Sequence, residues 1–215
     1  MGSASMKPEM GRVRSEPRSR PRIRLFKSDL LERLTVISPR AFVLIWLGVF
    51  CVALSMSWRT ASIQASIGLL ALGLLIWTLF EYAMHRFLFH WKTRFRIFQW
   101  VVFITHGNHH VDATDPHRNM MPPIVSVPVS ASIWALCLLA LGPKGTILYV
   151  GFTIGYVLYD GVHYACHQFP MRRGVLRQLK RHHTRHHYAK SDGNYAITMI
   201  LWDRLFGTRI PDKGG

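Results

Sequence analysis

The residues that could do chemistry in this chain are histidines. Eleven of its twelve histidines fall in the four short stretches EYAMHRFLFH, HGNHH, HYACH and HHTRHH. On a helix, residues at i, i+3 and i+4 lie on one face, so imidazoles with that spacing can converge on a metal ion. Two triples and one i, i+4 pair have this spacing: His106, His109 and His110; His183, His186 and His187; His163 and His167. His85 and His90, at i, i+5, share a face only if the helix loosens or ends between them.

The alternative to metal binding is that these histidines are solvated, or are core side chains with hydrogen-bond partners. Ten neighbouring unpaired imidazoles would cost on the order of several kcal/mol in desolvation and mutual repulsion, which argues against it. Ten ligands exceed the three or four that one zinc ion takes, so the count predicts a two-metal centre. Imidazole suits iron, zinc and copper alike, and the ligands alone do not choose among them.

Four apolar runs must position these histidines. Residues 41–58 and 61–80 are separated only by Arg59 and Thr60, and residues 124–141 and 146–158 only by Gly-Pro-Lys-Gly. Each run is close to the roughly 20 residues needed to cross a bilayer, although the second pair is somewhat short or interrupted by proline. The pattern predicts an all-α integral membrane protein with four transmembrane helices in two hairpins and a cytoplasmic, histidine-rich helical cap.

The basic residues fix an expected orientation. Of 27 lysines and arginines, only Arg59 and Lys144 fall in the two hairpin loops, and the remaining 25 lie on the other side. By the positive-inside rule that side is the cytoplasm, with both termini and all four histidine stretches on it. Topology therefore accounts for the formal charge of +16 better than nucleic-acid binding does. The three cysteines form no CxxC motif and predict no disulfide framework.

Two domains are expected, a basic arm over residues 1–40 and a membrane-embedded domain over residues 41–215. The arm has ten lysines or arginines, and its composition predicts a disordered chain that binds anionic lipid. Near its end Asp29 can cap an interfacial helix that Pro39 stops. The apolar stripe of that helix is Leu30, Leu31, Leu34 and Ile37.

A second interfacial helix is expected after the second apolar run. Trp91, Phe95, Phe98 and Val102 stand at i, i+4, i+7 and i+11, which is one face of a helix leading into HGNHH.

The motifs together resemble a known family. EYAMHRFLFH, HGNHH, GYVLYDGVHYACH and HHTRHHY, followed by NYAITMILWDRLFGT, resemble the fatty acid hydroxylase superfamily of membrane di-metal oxygenases, and most closely its fatty acid 2-hydroxylases. The resemblance covers residues 74–211. It implies two iron ions, or zinc in their place, and O2 as co-substrate.

The resemblance also implies the metal ligands, which helix faces divide into two sets. By helix face, we expect one ion to be held by His85, His90, His106, His110 and His186. We expect the other to be held by His109, His163, His167, His183 and His187. His182 and His117 are left outside both sets.

The implied reaction is hydroxylation of a long-chain fatty acyl group at C2, in a free, acyl-linked or ceramide-like lipid. The alternatives are a hydroxylase or desaturase of sterol, carotenoid or alkane, and a non-catalytic membrane metal- or lipid-binding protein. Fungal and animal 2-hydroxylases carry a fused cytochrome b5 domain, for which residues 1–40 are too few. A separate cytochrome b5-like or ferredoxin-type donor is therefore expected, in a bacterial inner membrane or the endoplasmic reticulum.

Three further side chains are candidates for catalytic roles near the metals. Tyr156, Asp160, His163 and His167 form one helical stripe, and Tyr159 lies one turn before His163. Asp160 is expected to accept an N–H from a ligand imidazole or to meet a polar group of the substrate. Ordinary helix packing by the tyrosine and capping by the aspartate is the competing interpretation.

Two more acids have predicted roles. Glu81, four residues before His85, is a second candidate acceptor for a ligand imidazole. Asp203 is expected to pair with Arg204 or Arg209 as a structural ion pair.

Overall fold

The computed structural model describes residues 23–211, and all regular elements in that range are helical, as predicted. Nine α-helices carry the fold: α1 (Asp29–Leu34), α2 (Pro39–Ser57), α3 (Ile63–Ala83), α4 (Arg96–Val102), α5 (Asn108–Val111), α6 (Pro123–Leu141), α7 (Gly145–Gln168), α8 (Gly174–Tyr188) and α9 (Leu201–Leu205). Two π-helical turns, Met84–Phe89 and Phe103–Gly107, follow α3 and α4 directly.

Helices α2 and α3 begin with serine caps. The Ser38 hydroxyl accepts the Ala41 N–H at 3.2 Å, and the Ser62 hydroxyl accepts the Ala65 N–H at 3.3 Å. Pro39 is the first residue of α2, a position where proline loses no helical hydrogen bond. It therefore starts the apolar helix and does not act as the stop that was predicted for the helix before it.

Helices α6 and α7 fold back on each other. Gly142 adopts φ +59°, and α7 begins three residues later. The Trp134 ring stacks on Tyr149 at 4.9 Å, and its Nε1 donates to the Thr146 hydroxyl at 3.1 Å. Gly145 lies so close to α6 that a Cβ there would meet the Cys137 carbonyl oxygen at 2.0 Å.

Helix α7 is the centre of the bundle and packs on α2, α3 and α6. A Cβ on Gly151 would lie 2.2 Å from the Leu70 carbonyl oxygen, so α3 and α7 approach backbone to backbone. Next to this contact, Trp77 packs edge-on against Tyr156 at 5.4 Å, and Trp46 of α2 meets Tyr156 at 4.7 Å. The aromatic cluster joins three helices and forms the floor beneath the histidines.

Three helical stretches are long and apolar enough to cross a membrane: residues 39–57, 63–89 and 123–168. The third includes both arms of the α6–α7 hairpin. Large apolar side chains on the outer faces are exposed, for example Leu44 at 69% and Leu139 at 84%. Such surfaces suit contact with lipid, and the chain is accordingly a membrane protein.

The segment before α2 differs from its prediction. Asp29 pairs with Arg24 and does not cap α1. Glu32 accepts the Leu25 N–H at 2.9 Å and bonds the buried guanidinium of Arg118. The helix ends at Leu34, so the predicted stripe is shorter than expected.

Ile37 lies beyond α1, is buried, and donates its N–H to the His117 carbonyl at 3.1 Å. Residues 23–38 thus contact the main body. The predicted disordered arm lies, for residues 1–22, outside the described part of the chain.

The aromatic stripe before HGNHH is only partly helical. Helix α4 begins at Arg96, so Trp91 and Phe95 precede it, although the Trp91 ring packs on Phe98 at 5.0 Å. The predicted helix was therefore too long at its N-terminal end.

Candidate metal centre

The wide turns after α3 and α4 bring the first histidines together. The π turn Met84–Phe89 sets His85 and His90 with ring centroids 5.1 Å apart, which is the loosening that their i, i+5 spacing requires. The second π turn, Phe103–Gly107, contains His106 and leads into α5 with His109 and His110. Because π turns are uncommon and often lie at functional sites, two in succession mark this region.

Group 1 is a set of five imidazoles, His85, His90, His106, His110 and His186. Neighbouring Nε2 atoms are separated by 3.1 Å between His85 and His106, by 2.8 Å between His106 and His110, and by 3.2 Å between His110 and His186. His90 and His186 are 3.0 Å apart at the same atoms. These are the five residues that the sequence assigned to one ion.

Group 2 comprises His109, His163, His167, His183 and His187, the five residues that the sequence assigned to the other ion. Its Nε2 atoms are 2.8 Å apart between His163 and His109, 2.8 Å between His167 and His183, and 3.0 Å between His187 and His183. The candidate ligand atoms of each group all lie within 4.8 Å of one another.

This geometry fits a metal ion in each group. Imidazole nitrogen binds zinc at about 2.0–2.1 Å, so two ligands at right angles lie about 3 Å apart. The observed Nε2 separations have this value. Hydrogen bonds between imidazoles would pair nitrogens two at a time, whereas in each group five nitrogens converge on one point. The His110 and His187 rings stack at 4.2 Å across the two groups, so the two ion positions are neighbours. Imidazole nitrogen is a ligand for iron and for zinc, so the type of donor does not choose between them.

The outer nitrogens of three imidazoles define their tautomers. His85 Nδ1 donates to the Tyr195 carbonyl at 2.5 Å, and His186 Nδ1 donates to the Gly193 carbonyl at 2.8 Å. His109 Nδ1 lies 3.1 Å from the Asn119 side-chain oxygen. Since each Nδ1 holds the proton, each Nε2 presents a lone pair to the centre of its group.

Burial keeps the imidazoles neutral. It lowers the pKa of His110 and of His186 to about 3, and of His187 to about 2, with nearby imidazoles adding to the effect. Burial likewise puts the pKa of His106 and His183 well below the usual value. Neutral imidazole is the form that binds metal, so the site is ready for it at physiological pH.

The two histidines outside the groups have other contacts. His182 is buried, and its Nε2 donates to the Asp203 carboxylate at 2.9 Å. His117 is half-exposed and lies beside Asp115, with 3.7 Å between its Nδ1 and the carboxylate.

Asp203 anchors the chain segment that carries the Tyr195 carbonyl. Its carboxylate accepts the N–H groups of Tyr195 at 2.9 Å and Ala196 at 2.8 Å, and the Thr208 hydroxyl at 2.7 Å. Together with His182, these donors occupy both carboxylate oxygens of Asp203, which was predicted to pair with Arg204 or Arg209. The predicted ion pair is thus replaced by a buried hydrogen-bond network.

Glu81 anchors the same segment from the other side. Glu81 was predicted to bond a ligand imidazole, but it does not. One carboxylate oxygen accepts the N–H groups of Ile197 at 3.1 Å and Thr198 at 2.8 Å, and the other accepts the Trp77 indole N–H at 3.0 Å. Glu81 thus holds a loop whose carbonyl orients His85. The sequence offered no local signal for this contact, because its partners are 116 and 117 residues away.

Asp160 also differs from its predicted role. Its carboxylate accepts the Tyr156 hydroxyl at 2.7 Å and the Met121 N–H at 3.1 Å, in place of a ligand imidazole. Tyr159 stacks on His163 with ring centroids 5.9 Å apart. Asn119, which the sequence did not single out, is the side-chain partner of His109.

An apolar cavity of about 260 Å³ lies beneath the histidines. Its walls come from α3, α6 and α7, with Trp77, Ile133 and Phe152 among them. Tyr156 and Tyr159 line it as well, while Glu81 is the one carboxylate on its surface among the described residues. No histidine of the described chain lines the cavity, but two of its wall residues, Phe89 and Tyr159, stack on His106 and His163.

The family model described as fatty acid hydroxylase matches residues 70–208. The chain belongs to the fatty acid hydroxylase family. The matched range contains every histidine of both groups and the segment held by Glu81 and Asp203.

Curated members of the family resemble the chain over most of its length. The dihydroceramide fatty acyl 2-hydroxylase FAH2 of Arabidopsis thaliana is 38% identical over 187 residues, covering 86% of this chain and 79% of that protein. The fatty acid 2-hydroxylase of Homo sapiens is 33% identical over 225 residues, covering 92% of this chain and 59% of that protein. Among solved structures, full-length scs7p, with only its hydroxylase domain visible, is similar with a TM-score of 0.79 at 30% identity. That match covers 86% of this chain and 72% of scs7p.

Proposed function

We propose that the protein is a di-iron membrane hydroxylase that inserts one oxygen atom of O2 at C2 of a long-chain fatty acyl group. The 2-hydroxylase relatives support the position of attack, and the ten imidazoles support two metal ions. The substrate is a free, acyl-linked or ceramide-like lipid.

The main support for the proposal is that one apolar cavity lies a single side chain away from both histidine groups. Phe89, on the cavity wall, stacks on His106 of group 1 at 5.1 Å. Tyr159, on the same wall, stacks on His163 of group 2 at 5.9 Å. An alkyl chain in this cavity would end within one side chain of both histidine groups, and oxidation of a C–H bond requires such an approach.

When bound, the two iron ions supply the activation of O2 that an unactivated C–H bond needs. The protein's own part is to hold the carbon in place and to keep water away. The largely apolar and aromatic walls serve both tasks, since they fix an alkyl chain by contact and offer few hydrogen bonds to water. The imidazoles, kept neutral by burial, stay available as ligands.

We assign positioning roles to Tyr156, Tyr159 and Asp160. Asp160 fixes the Tyr156 hydroxyl at 2.7 Å, and Tyr156 lines the cavity. Tyr159 lies between the cavity and His163, where it would contact the carbons next to the reacting one. The three residues would thus set how far the acyl chain advances towards the metals.

The proposal includes four membrane crossings, by α2, α3, α6 and α7, with both termini in the cytoplasm. The fold-back of α6 and α7 supports four crossings, and the scarcity of basic residues in the hairpin loops supports the orientation. Both groups then lie at the cytoplasmic surface, where the polar end of an acyl lipid lies. The carbons nearest that end would therefore be the ones presented for oxidation.

The test is expression with a reductase system under 18O2, followed by mass spectrometry of total fatty acids and lipids. Labelled oxygen at C2 of long acyl chains is the expected result, and the His163→Ala variant should give none. Label in a sterol, a carotenoid or an alkane would contradict the proposed substrate, and so would label at the terminal carbon. Absence of label in any lipid would contradict the hydroxylase assignment.

A further inference from the structure

The outer face of α8 carries a basic surface. Two adjoining depressions on this face share Arg181 and Arg185 in their linings. None of the described residues that line them is acidic. The arginines that line this basic surface are Arg172, Arg177, Arg181, Arg185, Arg204 and Arg209.

The composition of this face separates it from the surfaces that the chain offers to lipid. Between residues 177 and 185, the exposed side chains are Arg177, Gln178, Arg181 and Thr184, all polar. The opposite face of α8 is filled by buried histidines, and its large exposed apolar side chains, Val175, Leu176 and Tyr188, lie at its two ends, outside the basic surface. By contrast α4 exposes Ile97, Phe98, Trp100 and Val101 along its length. The charge of the basic surface suits an acidic partner.

The basic surface lies one helix width from the metal centre. Arg177, Arg181 and Thr184 follow one another around one face of α8, while His183 and His186 lie on the other face. A helix with its side chains is about 10–12 Å across.

A chain of hydrogen bonds also leads inward from the basic surface. His182 lines one of its depressions and donates to Asp203 at 2.9 Å. Asp203 accepts the Tyr195 N–H at 2.9 Å, and the Tyr195 carbonyl accepts the proton of His85 Nδ1. The basic surface is thus connected through three residues to a ligand of group 1.

The proposed reaction needs electrons from outside the acyl substrate. Converting R–H and O2 to R–OH and H2O consumes two electrons and two protons, and the C–H bond supplies neither electron of this pair. We propose that the basic surface is the docking site of an acidic one-electron carrier protein, which delivers those electrons one at a time. This inference rests on the proposed function, because only a redox reaction at the histidine groups needs such a carrier.

The test uses the iron-loaded full chain in detergent and two acidic probes, a plant-type ferredoxin and the haem domain of a cytochrome b5. Each probe is reduced beforehand, and its reoxidation by the protein is followed without O2 and without acyl lipid. The variant Arg177→Glu with Arg204→Glu reverses charge in both depressions. The matched control Arg94→Glu with Arg96→Glu reverses two exposed charges elsewhere.

For wild type we expect a second-order rate constant of probe reoxidation that falls steeply with added salt. The rate constant should be at least about tenfold lower in the basic-surface variant. In the control variant it should change by less than about twofold. An equal loss in the control would overturn the proposal, as would a wild-type rate without salt dependence. Unchanged rates with reduced binding of the basic-surface variant to phosphatidylserine vesicles would assign the surface to lipid. Because no acyl lipid is present, failure here is distinct from failure to hydroxylate C2.

Discussion

The two histidine groups are equal in ligand number but differ in what holds them. In group 1, His85 and His186 are oriented by the backbone carbonyls of Tyr195 and Gly193, on an irregular segment between α8 and α9. In group 2, His163 and His167 stand on α7, one turn apart. Group 1 is thus assembled by long-range contacts, whereas group 2 is assembled largely by regular helices.

Because the supports differ, different substitutions should weaken metal binding in each group. Residues 193–198 are fixed by two buried carboxylates, Glu81 and Asp203. In group 2 the corresponding support is a single side chain, Asn119, and the buried Nδ1 of His183 has no partner among residues 23–211. Changes at the carboxylates should therefore loosen group 1 alone, and a change at Asn119 should loosen group 2 alone.

The largest expected effect is loss of a ligand. His109→Ala and His186→Ala remove one imidazole from group 2 and group 1 respectively, and each should lower turnover by more than about 100-fold. His117→Ala, which removes a half-exposed histidine outside both groups, should leave turnover within about twofold. Turnover is measured as 2-hydroxylated acyl product per chain, and full activity in His109→Ala would refute the ligand assignment.

The next effect concerns the support of group 1. Asp203→Asn replaces an acceptor of four hydrogen bonds with a group that can accept at only one atom, and should weaken metal binding in group 1 by about 10–100-fold. Asp192→Asn removes an exposed carboxylate paired with Lys92 and serves as the matched control.

Metal retention during dialysis against a chelator is the measurement for this pair. We expect Asp203→Asn to lose one ion per chain much earlier than the other. Simultaneous loss of both ions would show that the two groups share their support.

A smaller effect is expected from the support of group 2. Asn119→Ala removes the acceptor of the His109 Nδ1 proton, and should weaken metal binding by about tenfold, the lower end of such effects, because four other ligands remain on α7 and α8. The same dialysis should show the ion of group 2 leaving first. Preferential loss of the ion of group 1 would reverse the comparison.

The smallest expected effect is a change of stability at the cavity wall that leaves metal binding unchanged. Thr153 lines the cavity, and within the described chain its buried hydroxyl lacks a hydrogen-bond partner. Thr153→Val keeps the shape and removes that group, so it should raise stability by about 1 kcal/mol while both ions stay bound. Thermal unfolding in detergent measures the change, and a drop in stability would reveal a partner for the hydroxyl, such as water.

The spacing of the histidines within each short stretch is a local property, and the sequence therefore predicted it. Spacings of three and four residues place imidazoles on a face of one helix, and the spacing of His85 and His90 required the wide turn that the structure has. The apolar runs likewise predicted the helices, and the predicted start of α2 was two residues late. The ligand list joins residues far apart in the chain, and it came from the family resemblance.

The supports of the centre could not be predicted, because they join residues far apart in sequence. Glu81 was expected to meet a ligand imidazole and Asp203 to form a structural ion pair, yet both accept backbone N–H groups, which carry no residue signature. The pairing of Asp29 with Arg24 has a different cause, since the charge of a neighbouring arginine competes with the cap of a short helix. Asn119 lacked any signal, as a lone asparagine in a polar loop usually makes a turn.

The most direct test of the account is the metal content of the full chain, purified in mild detergent from iron-supplemented cells and measured by elemental analysis. Wild type is expected to contain two ions per chain. The variant with His163, His167 and His183 all changed to alanine is expected to contain about one, because it loses most of group 2 and keeps group 1. Fewer than one ion in wild type, or two ions retained in that variant, would contradict a two-metal centre divided between these groups.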